Sequence, residues 1–427
     1  MDEWDQGFRS ALRRVDELDP SVAPIDPEAL VTRAGRARRS RAERAIVLLA
    51  AAVLAVVALA SWTGFGRTAV PAVPEPMAST TPPDAGVGWV RIAAGPLSAR
   101  WGAAGVWVDD RYLVVGGREG VPCPAGANCA DRRKPLTDGA LYDPATDSWQ
   151  RIADAPSENG VGSQAVVVGT SVYLMEGRPS RSLLRYDLAS DAWRTYRLLE
   201  SFSGTLVATD RAVILLSDTD EFGTVPDRVF DPADASWSTL PDDPLGSSFD
   251  RTAVWLGDRL LLAAHDLVDN PGGKKPSLMR LAELDATLTR WRTLADSPIL
   301  GNGAQQLVVA GRVVWPSIGS ADGGKVGNWG RAYPYGGILD PATGAWTELP
   351  EAGRKTGGLG DYRAATARLV TVAGNLLDPA ARTWVDVPRL PDGERTEATV
   401  VGGPQSVLVW GGSDGTVSRT EGYLFRV

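Results

Sequence analysis

Across 427 residues there is one histidine, His265, with two cysteines, and five lysines against thirty-nine arginines. Each shortage excludes a chemistry. A single histidine leaves no pair for a copper or zinc centre. Any Ser-His-Asp or Cys-His arrangement would have to use His265, beside Asp266, and no nucleophile is positioned next to it in the sequence. It is expected as a solvated loop histidine. The cysteines, Cys123 and Cys129, lie six apart in Pro122-Cys123-Pro124-Ala125-Gly126-Ala127-Asn128-Cys129 and are expected to pair as a disulfide pinning that loop. No glycine-rich phosphate loop ending in Lys-Ser/Thr occurs. The formal net charge of −8 disfavours binding to polyanionic nucleic acid. No cofactor, no metal and no catalytic constellation is expected.

Long apolar runs are also scarce, except in one place. Residues 45–63, Ala45-Ile46-Val47-Leu48-Leu49 through Trp62-Thr63, carry no charge. At 1.5 Å per residue a helix of that length spans about 28 Å, close to the ~30 Å of a bilayer's hydrocarbon. Arg33, Arg36, Arg38, Arg39, Arg41 and Arg44 precede it, and only Arg67 closely follows. That asymmetry predicts one transmembrane helix, with residues 1–44 cytoplasmic and the remainder outside the cell membrane. A cleaved signal peptide ending at Ala58-Leu59-Ala60 is the rival, opposed by the length of the leader. Residues 64–87 hold Pro71, Pro74, Pro76, Pro82 and Pro83 and are expected as a semi-rigid tether. Within 1–44, Trp4, Phe8, Ala11, Leu12, Val15 and Leu18 recur at helical spacing, and Asp26-Pro27-Glu28 opens a second helix. So short a helical segment buries no core alone and needs a partner or the lipid surface.

From 88 to 427 the pattern changes to a repeat. Six times an aspartate is followed six residues later by tryptophan: Asp143/Trp149, Asp187/Trp193, Asp231/Trp237, Asp285/Trp291, Asp340/Trp346 and Asp378/Trp384. The Trp-to-Trp steps of 44, 44, 54, 55 and 38 residues suit four short strands per copy of a β-propeller. Four copies read Asp-Pro-Ala, which is turn chemistry: the carboxylate takes backbone N–H groups ahead of it and proline presets φ. The tryptophan is expected to wedge between neighbouring sheets. Gly116-Gly117 and Gly411-Gly412 close apolar strands where backbones must approach closely. Six such hairpins leave 395–427 without its last strand, and Gly88-Trp89-Val90-Arg91-Ile92-Ala93 parallels Ser148-Trp149-Gln150-Arg151-Ile152-Ala153. The fold class expected is all-β: seven blades closed by this N-terminal strand beside Gly422–Val427. Six blades with a stray strand is the alternative.

With its apolar strand, Gly-Gly pair, Tyr142-Asp143 and spaced Trp149, the first copy resembles the kelch repeat family; the middle copies lack the glycine pair. The resemblance implies a kelch-like propeller over 88–427 and leaves the activity open, since such rings host enzymes, adaptors and ligand binders. The copper oxidases of the kelch class use paired histidines and tyrosines, a set this chain does not contain. Sialidase-type boxes are missing, Ser413-Asp414-Gly415 being a fragment. The leader, with its Asp-Pro-Glu-Ala-Leu helix, arginines and single span, is similar to those of actinobacterial membrane proteins accompanying extracytoplasmic-function sigma factors. It lacks the zinc-binding His and Cys common in anti-sigma domains.

Loops on a rigid scaffold carry binding groups. Three second-to-third strand connections are long, 118–138, 265–277 and 317–334, and sum to about +2. The candidate ligand face is Arg132, Arg133, Lys134, Lys274, Lys275, Lys325, Trp329, Arg331 and Tyr333, with Lys355 on the same side. The function expected is a single-pass, extracytoplasmic binding module of a bacterial cell envelope, with a protein or carbohydrate as partner and no nucleic acid. The alternatives are a transmembrane regulator working through a cytoplasmic partner of 1–44, and a carbohydrate-active enzyme with two carboxylates in the central channel.

Overall fold

The computed structural model describes residues 88–123, 134–157, 160–177, 179–219, 225–266, 276–301, 306–318, 333–350 and 357–427. The segments 1–44, 45–63 and 64–87 lie outside the described residues, so the helices and span expected there do too. No helix among the described residues is long and apolar enough to cross a membrane.

Seven antiparallel sheets follow one another along the chain, six of four strands and one of three. Blade 1 is built from Ala104–Val108, Arg111–Val115, Gly139–Asp143 and Ser148–Ile152, each strand pairing with the next. Blades 2 to 5 repeat this order, with inner strands Val161–Val168, Gly204–Ala208, Ser248–Trp255 and Leu307–Val309. Blade 6 has only Val370–Val372, Asn375–Asp378 and Thr383–Val385, its inner strand reduced to one bridge between Ala365 and Val370. Blade 7 takes Thr399–Gly402, Ser406–Trp410 and Gly422–Arg426 from the C-terminus and its outer strand, Gly88–Arg91, from the other end of the domain. Gly88 stands opposite Arg426 and Trp89 opposite Phe425. The chain is therefore closed into a ring of seven blades by its N-terminal strand, as the orphan Trp89 segment implied.

No single core exists. Seven apolar clusters occupy the seams between successive blades, because alternate residues of each strand face opposite neighbours. In blade 3, Val213 and Leu215 face blade 2, while Ile214 and Leu216 face blade 4. One repeat tryptophan packs against each seam: Trp149, Trp193, Trp237, Trp291, Trp346 and Trp384, and at the seam of blades 6 and 7 Trp89. Its ring lies 5.2 Å from that of Phe425, edge to face.

The turn chemistry is as expected. Asp143, Asp231, Asp340 and Asp378 each accept the backbone N–H two residues ahead, from Ala145, Ala233, Ala342 and Ala380. Four residues after the turn aspartate the chain enters the left-handed region, at Asp147 and Asp191 (φ 48° each), Ala235 (φ 60°), Gly344 (φ 73°) and Arg382 (φ 58°). The two aspartates in this series gain a further role. Asp147 accepts the Ala93 N–H at 2.8 Å and the Tyr142 hydroxyl at 2.8 Å, while Trp149 Nε1 donates to the Ala93 carbonyl at 2.9 Å. Asp191, Tyr186 and Trp193 hold Ala153 in the same way, so both peptide groups are gripped by the following blade. The glycine pair is sterically required. Gly116 has φ 73°, and a Cβ there would lie 1.9 Å from Val161 Cγ2 in blade 2.

Candidate functional site

The antiparallel blades send all second-to-third strand connections to one face, together with the links from each blade to the next. Three buried arginines brace that face from beneath. Arg100 donates to Asp138 Oδ1 at 2.6 Å and Oδ2 at 2.9 Å, and to the Gly116 carbonyl at 3.1 Å. Arg251 bridges Asp227 at 2.9 Å and Asp243 at 2.7 Å. Arg395 donates to Asp392 at 2.5 Å and to the carbonyls of Gly411 and Glu421, with its guanidinium 5.4 Å from the Tyr423 ring centroid. These are charge-assisted bonds that fix loop roots. Burial alone would raise the Asp138 carboxyl, but the hydrogen bonds and charge of Arg100, with Arg151, hold it below the ordinary range. At Asp227 burial dominates and pushes the carboxyl up despite Arg251.

Of the predicted ligand face, Lys134 is described and exposed and Tyr333 is half-buried. Arg132, Arg133, Lys274, Lys275, Lys325, Trp329 and Arg331 lie outside the described residues, as does Lys355. The root of the first long loop is defined: Trp101 and Arg118 exchange backbone hydrogen bonds at 3.1 and 2.9 Å, and Leu136 donates to Gly117 at 2.8 Å. Cys123 is half-buried and is not a free thiol, whereas Cys129 lies outside the described residues, so their pairing remains a proposal.

His265 corrects an expectation. It is not a solvated loop residue but the buried penultimate residue of the strand Arg259–Asp266, 4% exposed and stacked on Phe249 at 5.2 Å. The strand continues past the point at which the sequence suggested a loop because its register with Ser248–Trp255 extends through Phe249/His265 and Ser248/Asp266. Nε2 donates to the Leu300 carbonyl, and Nδ1 lies 3.9 Å from Asp250. Asp266 is paired with Arg280 at 2.6 Å. The ring is held by packing and backbone, and no Ser or Cys side chain hydrogen-bonds it among the described residues.

Along the ring axis runs a channel of about 730 Å³ lined by the inner strands. Its wall includes Gly105, Gly162, Ser163, Gln164, Gly204, Thr205, Trp255 and Gln306. Gln164 ties blade 2 to blade 3 through both Leu206 backbone groups, donating at 3.1 Å and accepting at 2.7 Å. Gln306 donates to the Thr252 and Leu261 carbonyls of blade 4 at 2.9 and 3.2 Å. Among the described lining residues there is no carboxylate, and Arg363 carries the charge. Its side chain is exposed, yet desolvation by the surrounding protein lowers its guanidinium below the ordinary arginine value, against the opposing charge of Asp361. Sequence reasoning passed over Arg363, since only strand register shows which residues share a level of the channel. No cluster of His, Cys, Asp and Glu suited to a metal is present among the described residues.

A ring of seven sheets, six of four strands and one of three, with an Asp-turn-Trp hairpin at the rim of six of them, defines the β-propeller class. No protein-family model matches the sequence. Among curated proteins, the Kelch-like protein terF of Aspergillus terreus is 26% identical over 259 residues, covering 55% of this chain. The match takes in 53% of that relative, so the chain spans about half of its length. Among solved structures, that of YjhT is 15% identical with a TM-score of 0.42, covering 78% of this chain and 96% of that one. The closed ring of seven blades makes this chain a β-propeller, and a Kelch-like protein is among the curated proteins it is similar to.

Proposed function

We propose that the protein is a membrane-anchored binding module. Residues 1–44 lie in the cytoplasm, 45–63 cross the membrane, 64–87 form the tether, and the propeller stands in the extracytoplasmic space of a bacterial cell envelope. The face bearing the long connections takes a protein or carbohydrate ligand, without catalysis. The observation that supports this best is the braced ring itself. Seven packed seams and the Arg100, Arg251 and Arg395 clamps make a rigid frame around the mouth of an open channel. A frame of that kind presents loop side chains at low entropic cost.

The test is photocrosslinking in intact cells from positions in 118–138 and 317–334. Capture of an envelope protein or glycan is expected, and Lys134→Glu, Lys274→Glu and Lys275→Glu together should abolish it. Undiminished capture by the triple variant would remove the loop face from the reading. The amphipathic stripe from Trp4 to Leu18 supports a second reading, in which propeller occupancy is relayed to a cytoplasmic partner. Co-purification of a sigma factor with full-length protein, lost on deleting 1–44, is its expected result.

A further inference from the structure

The seven inner hairpins are in register with one another. In each blade an inner-strand residue stands opposite the residue five further on: Trp107 opposite Tyr112, Val167 opposite Val172, Ala208 opposite Val213, Trp255 opposite Leu260, Val308 opposite Val313, Ala365 opposite Val370 and Gly402 opposite Val407. Two residues before that pair, on the same strand face, blades 1 to 5 and 7 carry Gly105, Ala165, Leu206, Ala253, Gln306 and Val400. All six are uncharged. Blade 6 carries Arg363 at this level.

Two features make the exception chemically pointed. Blade 6 is also the blade whose inner strand is reduced to a single bridge, and Ala365 lies so close to blade 7 that a Cβ on Gly402 would sit 1.9 Å from its carbonyl oxygen. The segment bearing Arg363 is thus part of the channel wall, not a detached loop. One blade earlier, Gln306 at the same level spends its amide on the Thr252 and Leu261 carbonyls. The clamp arginines spend theirs on Asp138, Asp227, Asp243 and Asp392. Among the described residues Arg363 has no hydrogen bond or ion pair, and no carboxylate lines the channel with it. Arg363 is exposed in the channel with the charge of Asp361 nearby, and a guanidinium whose donors meet no protein acceptor among the described residues pairs readily with an oxyanion that enters the channel.

We propose that the channel is an anion site in which Arg363 supplies the charge, taking a small organic anion, a carboxylate or phosphate ester of about monosaccharide size. The volume, about 730 Å³, lies inside the range of roughly 300–1,000 Å³ common to small-molecule pockets. The wall offers matching polar groups: the Ser163 and Thr205 hydroxyls and the edges of the inner strands at Gly105, Gly162 and Gly204. A planar guanidinium engages carboxylate or phosphate through two parallel N–H donors. This assignment rests on the binding-module reading and names the ligand chemistry of its channel.

The experiment is isothermal titration and thermal melting of the full chain in detergent micelles against citrate, glucose 6-phosphate and glucose. Saturable binding and a raised melting temperature are expected with the phosphate ester, with citrate, or with both, and not with glucose; which anion saturates separates the two sources. Arg363→Gln should weaken that binding roughly 10- to 100-fold, the range for a lost charged hydrogen bond. Arg363→Lys should retain part of it, and Arg363→Ala provides a second neutral variant if Arg363→Gln loses its cooperative melt. Equal affinity in the wild type and a folded neutral variant would overturn the proposal, as would failure of both anions to saturate the wild type at millimolar concentration. Envelope crosslinks retained by Arg363→Gln alongside either failure would leave the binding module standing. Undiminished crosslinks in the loop variants with anion binding intact would instead remove only the loop face.

Discussion

Asp147 and Asp191 do at the scale of single residues what the repeat needs between blades. Each carboxylate joins its own blade's tyrosine to a backbone N–H of the preceding blade, from a left-handed position that aspartate tolerates better than most residues. Replacing Asp147 with alanine should cost about 1–2 kcal/mol, since it orphans the Tyr142 hydroxyl as well as the Ala93 N–H. Urea unfolding followed by tryptophan fluorescence checks this, and a midpoint equal to that of the wild type would refute it. The turn aspartates were legible beforehand because an Asx turn is closed by neighbours in sequence. Asp147 and Asp191 were not, because their acceptor role is spent on residues 54 and 38 positions away. His265 fails the same way. Its burial depends on Phe249 stacking from the neighbouring strand and on the Leu300 carbonyl.

At the scale of elements, the strand Gly88–Arg91 has the largest consequence for its size. It completes blade 7, covers the edge of Gly422–Arg426 and brings Trp89 to the seam with blade 6, where Nε1 donates to Pro388 at 2.7 Å. Trp89→Ala should destabilise the propeller by about 3 kcal/mol, in line with large aromatic truncations. Deleting 88–91 should go further and leave an unpaired edge that self-associates. Size-exclusion chromatography of the deletion variant reads this directly, and a monomer melting like the wild type would show that the strand closes nothing. The pairing was legible because Trp89 repeats the setting of Trp149 in sequence. The thinning of blade 6 to three strands was not, since only the lost pairing partners reveal it.

Across the whole molecule, the same groups set a pH window. Backbone N–H groups lower the carboxyls of Asp143 and Asp285, chiefly those of Ala145 and Thr289, and hydrogen bonds from Ser190 lower Asp187. Carboxyls lowered in the fold contribute stability that is fully present above their unfolded value and lost as pH falls through the folded values. Burial pushes the Tyr112 phenol from 10.0 up to about 12. Its unfolded counterpart ionises first, so stability falls as pH rises past about 10. Stability measured by urea midpoints should therefore decline below about pH 4 and above about pH 10, with the raised Asp227 carboxyl alone taking some stability away as pH rises from about 4. A decline beginning near neutrality would refute that window.

By itself the sequence determined the repeat, its number and its closure, because turn chemistry and strand alternation act over a few residues and recur with a period. It also marked 45–63 as apolar and 118–138, 265–277 and 317–334 as long connections. Only the tertiary structure decided which residues share a level of the channel and which arginines are satisfied. Arg100, Arg251, Arg395 and Arg363 look alike in sequence; Arg100 and Arg251 find carboxylates 38 and 24 positions away, Arg395 finds Asp392 close by, and the fourth faces the channel. Long-range register makes that difference, and it exists only once the ring has closed.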